Sequence, residues 1–171
     1  MHRSSFVALA LAGACVAVSA QLLPADPDWK ELDTPPPPAL RTSGLIPVEV
    51  AGTSLHFGVD PASISIGNDR IVRYVVVATS PSGTVNAMYE GIRCDAGEVK
   101  VYARHNPDSG WVPSRGADWQ PLGRTAMSRH SLEVARGGAC LGRAPNGNAA
   151  QIVLDLRAPI DRRFERGGVN R

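Results

Sequence analysis

The fold is decided by residues 71–104, which read IVRYVVVATSPSGTVNAMYEGIRCDAGEVKVYAR. β-Branched residues fill both faces of 71–78, a composition typical of a central strand that is covered on its two sides. Turn residues at 80–83 and 95–97 bound a second strand at 84–94, and apolar and polar side chains alternate in the strand that follows. Short turns between consecutive strands favour antiparallel pairing. The stretch therefore predicts an antiparallel meander of three strands.

The segments on either side of the meander extend this pattern. Upstream, Leu55, Phe57 and Val59 alternate with less apolar residues, which predicts a further strand that ends before Pro61. Downstream, residues 128–136 have helical character, and the two glycines that follow would end the helix.

A second helix is predicted at 148–157. Asn148 can cap it, and apolar residues recur at helical spacing from Ala149 to Leu156. The same residues also fit a buried strand through 152–156, so both assignments stay open at this point. Together these segments predict one α+β domain, mainly antiparallel sheet, with one or two C-terminal helices packed on a face.

A chain of 171 residues has room for one such domain with short flanking segments. The predicted boundaries are a signal peptide at 1–20, a proline-rich strap at 21–44, the α+β domain at 45–158 and an Arg/Gly-rich tail at 159–171.

The strap contains four consecutive prolines at 35–38, which favour an extended polyproline II conformation that cannot donate to a sheet. One interpretation is a docking motif for a proline-binding groove. The simpler one, which we favour, is a semi-rigid spacer or a segment packed on the domain through Trp29 and Leu32.

The first residues resemble a secretory signal. Arg3 is followed by an apolar stretch at 6–18, and small residues precede a predicted cleavage between Ala20 and Gln21. The stretch is shorter than the roughly 20 residues of a transmembrane helix, and no transmembrane segment is expected in the mature chain. A soluble periplasmic protein is therefore predicted. The alternative is lipid anchoring through Cys15, although the leucine usual in a lipobox is missing.

The number of cysteines that remain after processing predicts a disulfide. Either form of processing leaves Cys94 and Cys140 as the remaining pair, and exported chains mature in an oxidising compartment. The alternative is two separate buried thiols. The chain has no CxxC, HxH or HExxH motif, and His56, His105 and His130 are widely spaced, so no metal site is predicted.

Charge and motifs exclude several classes of function. A formal net charge of +2 lacks the dense positive field of nucleic-acid binders, so no nucleic-acid partner is expected. GxSxG, Walker A, SxxK and GxGxxG motifs are absent, and no cofactor is predicted. Trp111 and Trp119 could form a platform for sugar rings, but closing the edge of a small core is the simpler role for such indoles.

Glu90 is the most informative polar residue. Strand alternation places it on the face of Met88 and Cys94, which a disulfide would cover. A buried carboxylate must be paired or neutralised, and Arg73 on the neighbouring strand is one available partner, with Arg93 as a further candidate. The carboxylate could serve as a binding group, but an ion pair that fixes strand register is the simpler interpretation.

The sequence resembles the CNP1-like family of small exported proteins of Gram-negative bacteria. The resemblance covers about residues 29–157, and its most specific part is 89–94, YEGIRC. It implies an exported or lipid-anchored domain without an assigned reaction. The other residues that carry it are 57–61, Ser63, 66–67, 72–74, Trp111, Trp119, His130 and Cys140.

The function predicted from these observations is that of a non-enzymatic binding or envelope-associated module, whose partner is an unknown envelope protein or ligand. One alternative is a small envelope enzyme that uses Glu90 with His105 or His130 as acid and base. Such an enzyme needs Glu90 and a histidine within hydrogen-bond reach beside an open cleft. Another alternative is a lipid-anchored structural protein. The sequence indicates no oligomeric state.

Overall fold

Ten strands and two helices make up the described part of the chain, residues 28–158 without 117 and 126–127, in a computed structural model. The strands are β1 (Ile46–Val48), β2 (His56–Val59), β3 (Ser65–Ile66), β4 (Val72–Thr79), β5 (Val85–Arg93), β6 (Glu98–Asn106), β7 (Gly110–Pro113), β8 (Gln120–Pro121), β9 (Cys140–Leu141) and β10 (Ala144–Pro145). The helices are α1 (Arg129–Val134) and α2 (Ala149–Leu156). The predicted signal peptide and its cleavage site, Cys15, and the tail from 159 onward lie outside the described residues.

The main sheet is antiparallel throughout and runs in the order β1-β2-β4-β5-β6-β7, with β3 beside β4 and β8 beside β6. Strands β4, β5 and β6 form the predicted meander, and β4 is buried along almost its whole length. The prediction of a mainly antiparallel α+β fold is confirmed.

Each face of the sheet has its own core. On one face, Tyr74 and Val76 of β4 pack with residues of α1 and α2. On the other face, Val75 and Val77 pack with Leu40 and Leu45 of the strap and its continuation. Alternation along β4 thus sends successive side chains into two separate apolar clusters, which explains why β-branched residues occur on both faces of the strand.

The C-terminal helices lie on the first face. Helix α1 ends in a π-type turn, Ala135–Ala139, which contains the predicted glycine pair. Helix α2 begins where Asn148 Oδ1 accepts a hydrogen bond from the backbone N–H of Gln151, at 2.9 Å. Residues 149–156 therefore form a helix rather than the alternative strand, and the side chain of Ile152 is fully buried.

A disulfide joins Cys94 to Cys140. Cys94 directly follows β5, and Cys140 begins β9, which comes after the π-type turn. The predicted bridge is confirmed, and it ties the second strand of the meander to the helical region.

The strap packs across the second face from residue 28 onward. Trp29 Nε1 donates to the Asp69 carbonyl at 2.9 Å, and Trp111 Nε1 donates to the Pro38 carbonyl at 2.8 Å. Leu32 contributes its backbone N–H, which donates to Asp69, while its side chain is 51% exposed. The strap is therefore docked, although not through the Leu32 side chain. Within the described residues no helix has the length and apolar character needed to cross a bilayer.

Candidate functional site

Glu90 lies near the middle of β5, and its side chain points toward the helices. It pairs across the sheet with Tyr74 on one side and Val101 on the other. Only 1% of Glu90 is exposed. A carboxylate at such a position must be held by hydrogen bonds, because burial removes its hydration.

Three side chains hold this carboxylate. Tyr74 Oη donates to Glu90 Oε2 at 2.8 Å, and Ser131 Oγ donates to the same oxygen at 3.1 Å. His130 Nε2 lies 3.0 Å from Oε1 and 3.1 Å from Oε2. Burial and the neighbouring Glu90 carboxylate raise the pKa of Tyr74 well above its ordinary value, so the phenol stays protonated and able to donate.

His130 and Ser131 reach Glu90 because they occupy the first turn of α1, which rests on the sheet. The His130 ring stacks on Phe57 of β2, with ring centroids 4.9 Å apart and planes at 9°. His130 is itself only 2% exposed. The stacking and the contact with Glu90 together fix the position of α1 over β2 and β5.

The predicted ion pair between Arg73 and Glu90 is wrong. Arg73 pairs across the sheet with Gly91, and Tyr74 is the residue opposite Glu90, so strand alternation directs Arg73 to the other face. There Arg73 Nη1 donates to Asp69 Oδ1 at 3.0 Å, and both side chains are buried.

The other predicted candidates also lie away from Glu90. Arg93 Nε donates to Asp95 Oδ1 at 3.1 Å, and its guanidinium lies 3.8 Å from the centre of a Trp29 ring. His105 makes an edge contact with Trp111, which pairs with it across β6 and β7. Of the two histidines proposed as partners of Glu90, His130 is the one that contacts it.

A cleft of about 620 Å³ lies beside Glu90, and residues of β6 and β7 form part of its lining. Its walls combine apolar side chains, hydroxyl groups and charged residues. The lining residues are Glu90, Val99, Val101, Arg104, Val112, Pro113, Ser114, Arg115, Gly116, Asp118, Gln120, Thr125, Ser128 and Ser131.

A β-bulge brings Arg104 into this cleft. The pairing of β5 with β6 shifts between Tyr89, opposite Ala103, and Glu90, opposite Val101. Strict alternation would put Arg104 and Val101 on opposite faces, whereas the extra residue in β6 lets both line the cleft. The alternation of side chains along β6 therefore does not by itself identify Arg104 as a residue of the cleft.

A second cavity, of about 420 Å³, lies on the other side of α1, and His130 and Phe57 are among its lining residues. Arg104 lines both cavities. The Glu90–His130 contact thus stands between two cavities, with the carboxylate facing one and the imidazole facing the other.

The contacts of His130 differ from those of a hydrolase triad. Glu90 and Ser131 Oγ both approach the same ring nitrogen, Nε2, with Ser131 Oγ at 3.1 Å. A triad needs the acid on one ring nitrogen and the nucleophile on the other, so that the imidazole can pass a proton between them. Among the described residues, no group of three or more His, Cys, Asp or Glu side chains is placed to hold a metal ion.

The family model that matches is that of the CNP1-like family, over residues 24–157. The chain belongs to the CNP1-like family. The match includes most of the strap, both cysteines of the bridge and every residue of the Glu90 site. No curated protein and no solved structure matches the chain.

Proposed function

We propose that this CNP1-like protein is an exported, non-enzymatic binding domain and that its ligand occupies the cleft beside Glu90. The observation that carries the proposal is the cleft itself. A concave site of about 620 Å³ with apolar walls and a few convergent polar groups has the size and make-up of small-molecule binding sites.

Export is supported by the sequence of residues 1–20 and by the bridge between Cys94 and Cys140, a bond suited to an oxidising compartment. We place the mature protein in the periplasm. Anchoring through a lipid on Cys15 is the alternative, and it would keep the same domain at a membrane surface.

A binding role is favoured by the way in which Glu90 is held. Its two carboxylate oxygens contact Tyr74, His130 and Ser131, all of which belong to the protein. A general base needs a lone pair that is free to reach the proton it abstracts. Here both oxygens of the carboxylate are used in contacts within the protein, and these contacts hold one wall of the cleft in place.

The test is a titration with a library of small fragments, followed by backbone amide shifts of the isotope-labelled protein. Val112, which is 45% exposed, lines the cleft, so Val112→Trp should fill it and abolish the shifts. Val85→Trp is the matched control, because Val85 is 38% exposed and lines neither cavity. Fragments that bind elsewhere, or that bind the Val112→Trp variant equally well, would contradict the proposal.

The contact between Glu90 and His130 beside a cleft is the geometry that an enzyme using these two groups needs, so it favours one second candidate. That candidate is a small hydrolase in which His130 acts directly on Ser131, at 3.1 Å, as a dyad rather than as part of a triad. Such an enzyme would be labelled by a fluorophosphonate probe, and Ser131→Ala would abolish the labelling. We expect no labelling of the native protein. Labelling that depends on both Ser131 and His130 would establish the enzyme and overturn the binding role.

A further inference from the structure

We infer that the ligand of the cleft is a small amphipathic anion, with an oxyanion head group held by Arg104 and Arg115 and an apolar body on the valine wall. This inference rests on the proposed binding function and gives it a ligand class. It is carried by the balance of charge, by the unpartnered hydroxyl of Ser114 and by the apolar wall, all of which line the cleft.

The charges favour an anion. Arg104 and Arg115 both line the cleft, and neither guanidinium group forms a hydrogen bond or ion pair with another described residue. Two carboxylates also line it. Glu90 is engaged by Tyr74, His130 and Ser131, which leaves Asp118 as the carboxylate that opposes the two guanidinium groups. Free guanidinium groups bind carboxylates and other oxyanions through paired N–H donors.

One hydroxyl group adds a neutral donor. Of the hydroxyls that line the cleft, Ser131 already donates to Glu90, and those of Thr125 and Ser128 are hydrogen-bonded to each other, which leaves Ser114. The Oγ of Ser114 is buried and has no hydrogen-bond partner among the described residues. A buried hydroxyl without a partner is costly, so a ligand that accepts a hydrogen bond from Ser114 would remove this cost on binding.

The apolar wall sets the other half of the ligand. Val99 and Val101 extend from β6, and Val112 from β7, and all three face the cleft. Because Val112 is almost half exposed, a bound apolar group would bury surface that now faces solvent. The β-bulge in β6 places Arg104 beside this wall, so one ligand can contact both.

The experiment compares three ligands that share one ring system and differ in charge: naphthoate, naphthalenemethanol and naphthylmethylammonium. Calorimetric titration of the full mature protein should give an affinity about tenfold higher for naphthoate than for the other two, equivalent to about 1.4 kcal/mol. The double variant Arg104→Gln, Arg115→Gln should lose this preference while still binding the neutral compound. Arg157→Gln is the control for charge, because Arg157 is exposed at the end of α2 and lines neither cavity.

The outcomes separate this inference from the proposed function. Equal or tighter binding of the ammonium compound overturns the anion preference and leaves the binding function in place. A preference that survives the double arginine variant overturns the assignment to Arg104 and Arg115. If none of the three compounds binds, the inferred ligand class is wrong, and the fragment titration decides the binding function independently.

Discussion

His130 Nε2 lies 3.0 Å from Glu90 Oε1, and this contact joins the first turn of α1 to the middle of β5. The two residues are far apart in the sequence, and each is almost completely buried. Because α1 contains only six residues, its own hydrogen bonds cannot hold it in place. The position of the helix, and with it the shape of the two cavities beside it, depends on this contact and on the stacking with Phe57.

We expect Glu90→Ala to lower the free energy of unfolding by about 3–5 kcal/mol, because it leaves His130 and Tyr74 buried without their acceptor. Urea unfolding followed by circular dichroism measures the change. Glu133→Ala is the matched control in α1, since Glu133 is 40% exposed and its pair with Arg136 should contribute less than about 1 kcal/mol. A loss no larger than that of the control would contradict the role assigned to Glu90. If Glu90→Ala does not fold, Glu90→Gln gives a smaller loss that can be measured.

The sequence predicts the β4–β5–β6 meander, the disulfide and the cap of α2 because each depends on local patterns or on a single remaining pair of cysteines. It does not predict the partner of Glu90, because the strand register depends on the length of the turn. A register different by one residue would pair Arg73 with Glu90, whereas the actual turn pairs Thr79 with Val85 and therefore Tyr74 with Glu90.

The cleft is even harder to predict from the sequence than the partner of Glu90. Its wall depends on a bulge that changes the face of Arg104 and on the docking of α1 through His130. Both are relationships between segments, and neither leaves a periodic signal in the residues themselves. The identity of His130 rather than His105 as the partner of Glu90 follows from the same docking.

Removing the bridge should destabilise the domain by about 4 kcal/mol, the chain-entropy estimate for a separation of 46 residues. Cys94→Ala, Cys140→Ala and the double variant should lose similar amounts, because breaking either end removes the same link. The melting temperatures of the three variants and of the native protein, measured with and without reductant, give these losses. Single-variant losses that add in the double variant, or two titratable thiols in unfolded and unreduced protein, would show independent cysteines.

Gly91→Ala is expected to destabilise the fold by about 1–3 kcal/mol through overpacking. A Cβ at this position would lie 2.7 Å from Tyr102 Cε2 and 2.8 Å from Ile71 Cγ2, which is too close for either side chain to remain in place. Gly147→Ala is the control, because a Cβ there meets no atom within 4 Å. Equal melting temperatures for the two variants would show that the sheet relaxes around the added methyl group.

Processing at Ala20 and Gln21 predicts a mature protein that begins at Gln21 and is recovered from the periplasmic fraction. Intact mass spectrometry of the exported protein gives the N-terminus directly. Ala20→Leu should block cleavage, because the processing site requires a small residue, and the precursor should then accumulate. A diacylglyceryl group on Cys15 and recovery with membranes would instead establish the lipid-anchored form.

Acid should loosen the strap from the sheet. Burial alone would raise the pKa of Glu31, but hydrogen bonds, led by that from Lys100 at 2.9 Å, outweigh it and leave the pKa below its ordinary value of 4.5. Asp69 accepts a hydrogen bond from the backbone N–H of Leu32 in the strap. Burial alone would raise the pKa of Asp69 as well, but hydrogen bonds, led by that from Arg73, outweigh it and leave the pKa below its ordinary value of 3.8. A carboxylate with a lowered pKa stabilises the folded state above its unfolded pKa, and this stabilisation disappears as the pH falls through its folded pKa.

The strap should therefore stay docked at neutral pH and loosen below about pH 4, where both carboxylates take up protons. The three tryptophans of the chain, Trp29, Trp111 and Trp119, all belong to the strap or donate to it, so their fluorescence reports its release. Glu31→Gln should shift part of this acid transition to neutral pH, because the amide lacks the charge that attracts Lys100. Glu49→Gln, at an exposed carboxylate, is the control and should leave the transition unchanged. An acid transition that is the same in Glu31→Gln as in the native protein would show that Glu31 does not hold the strap.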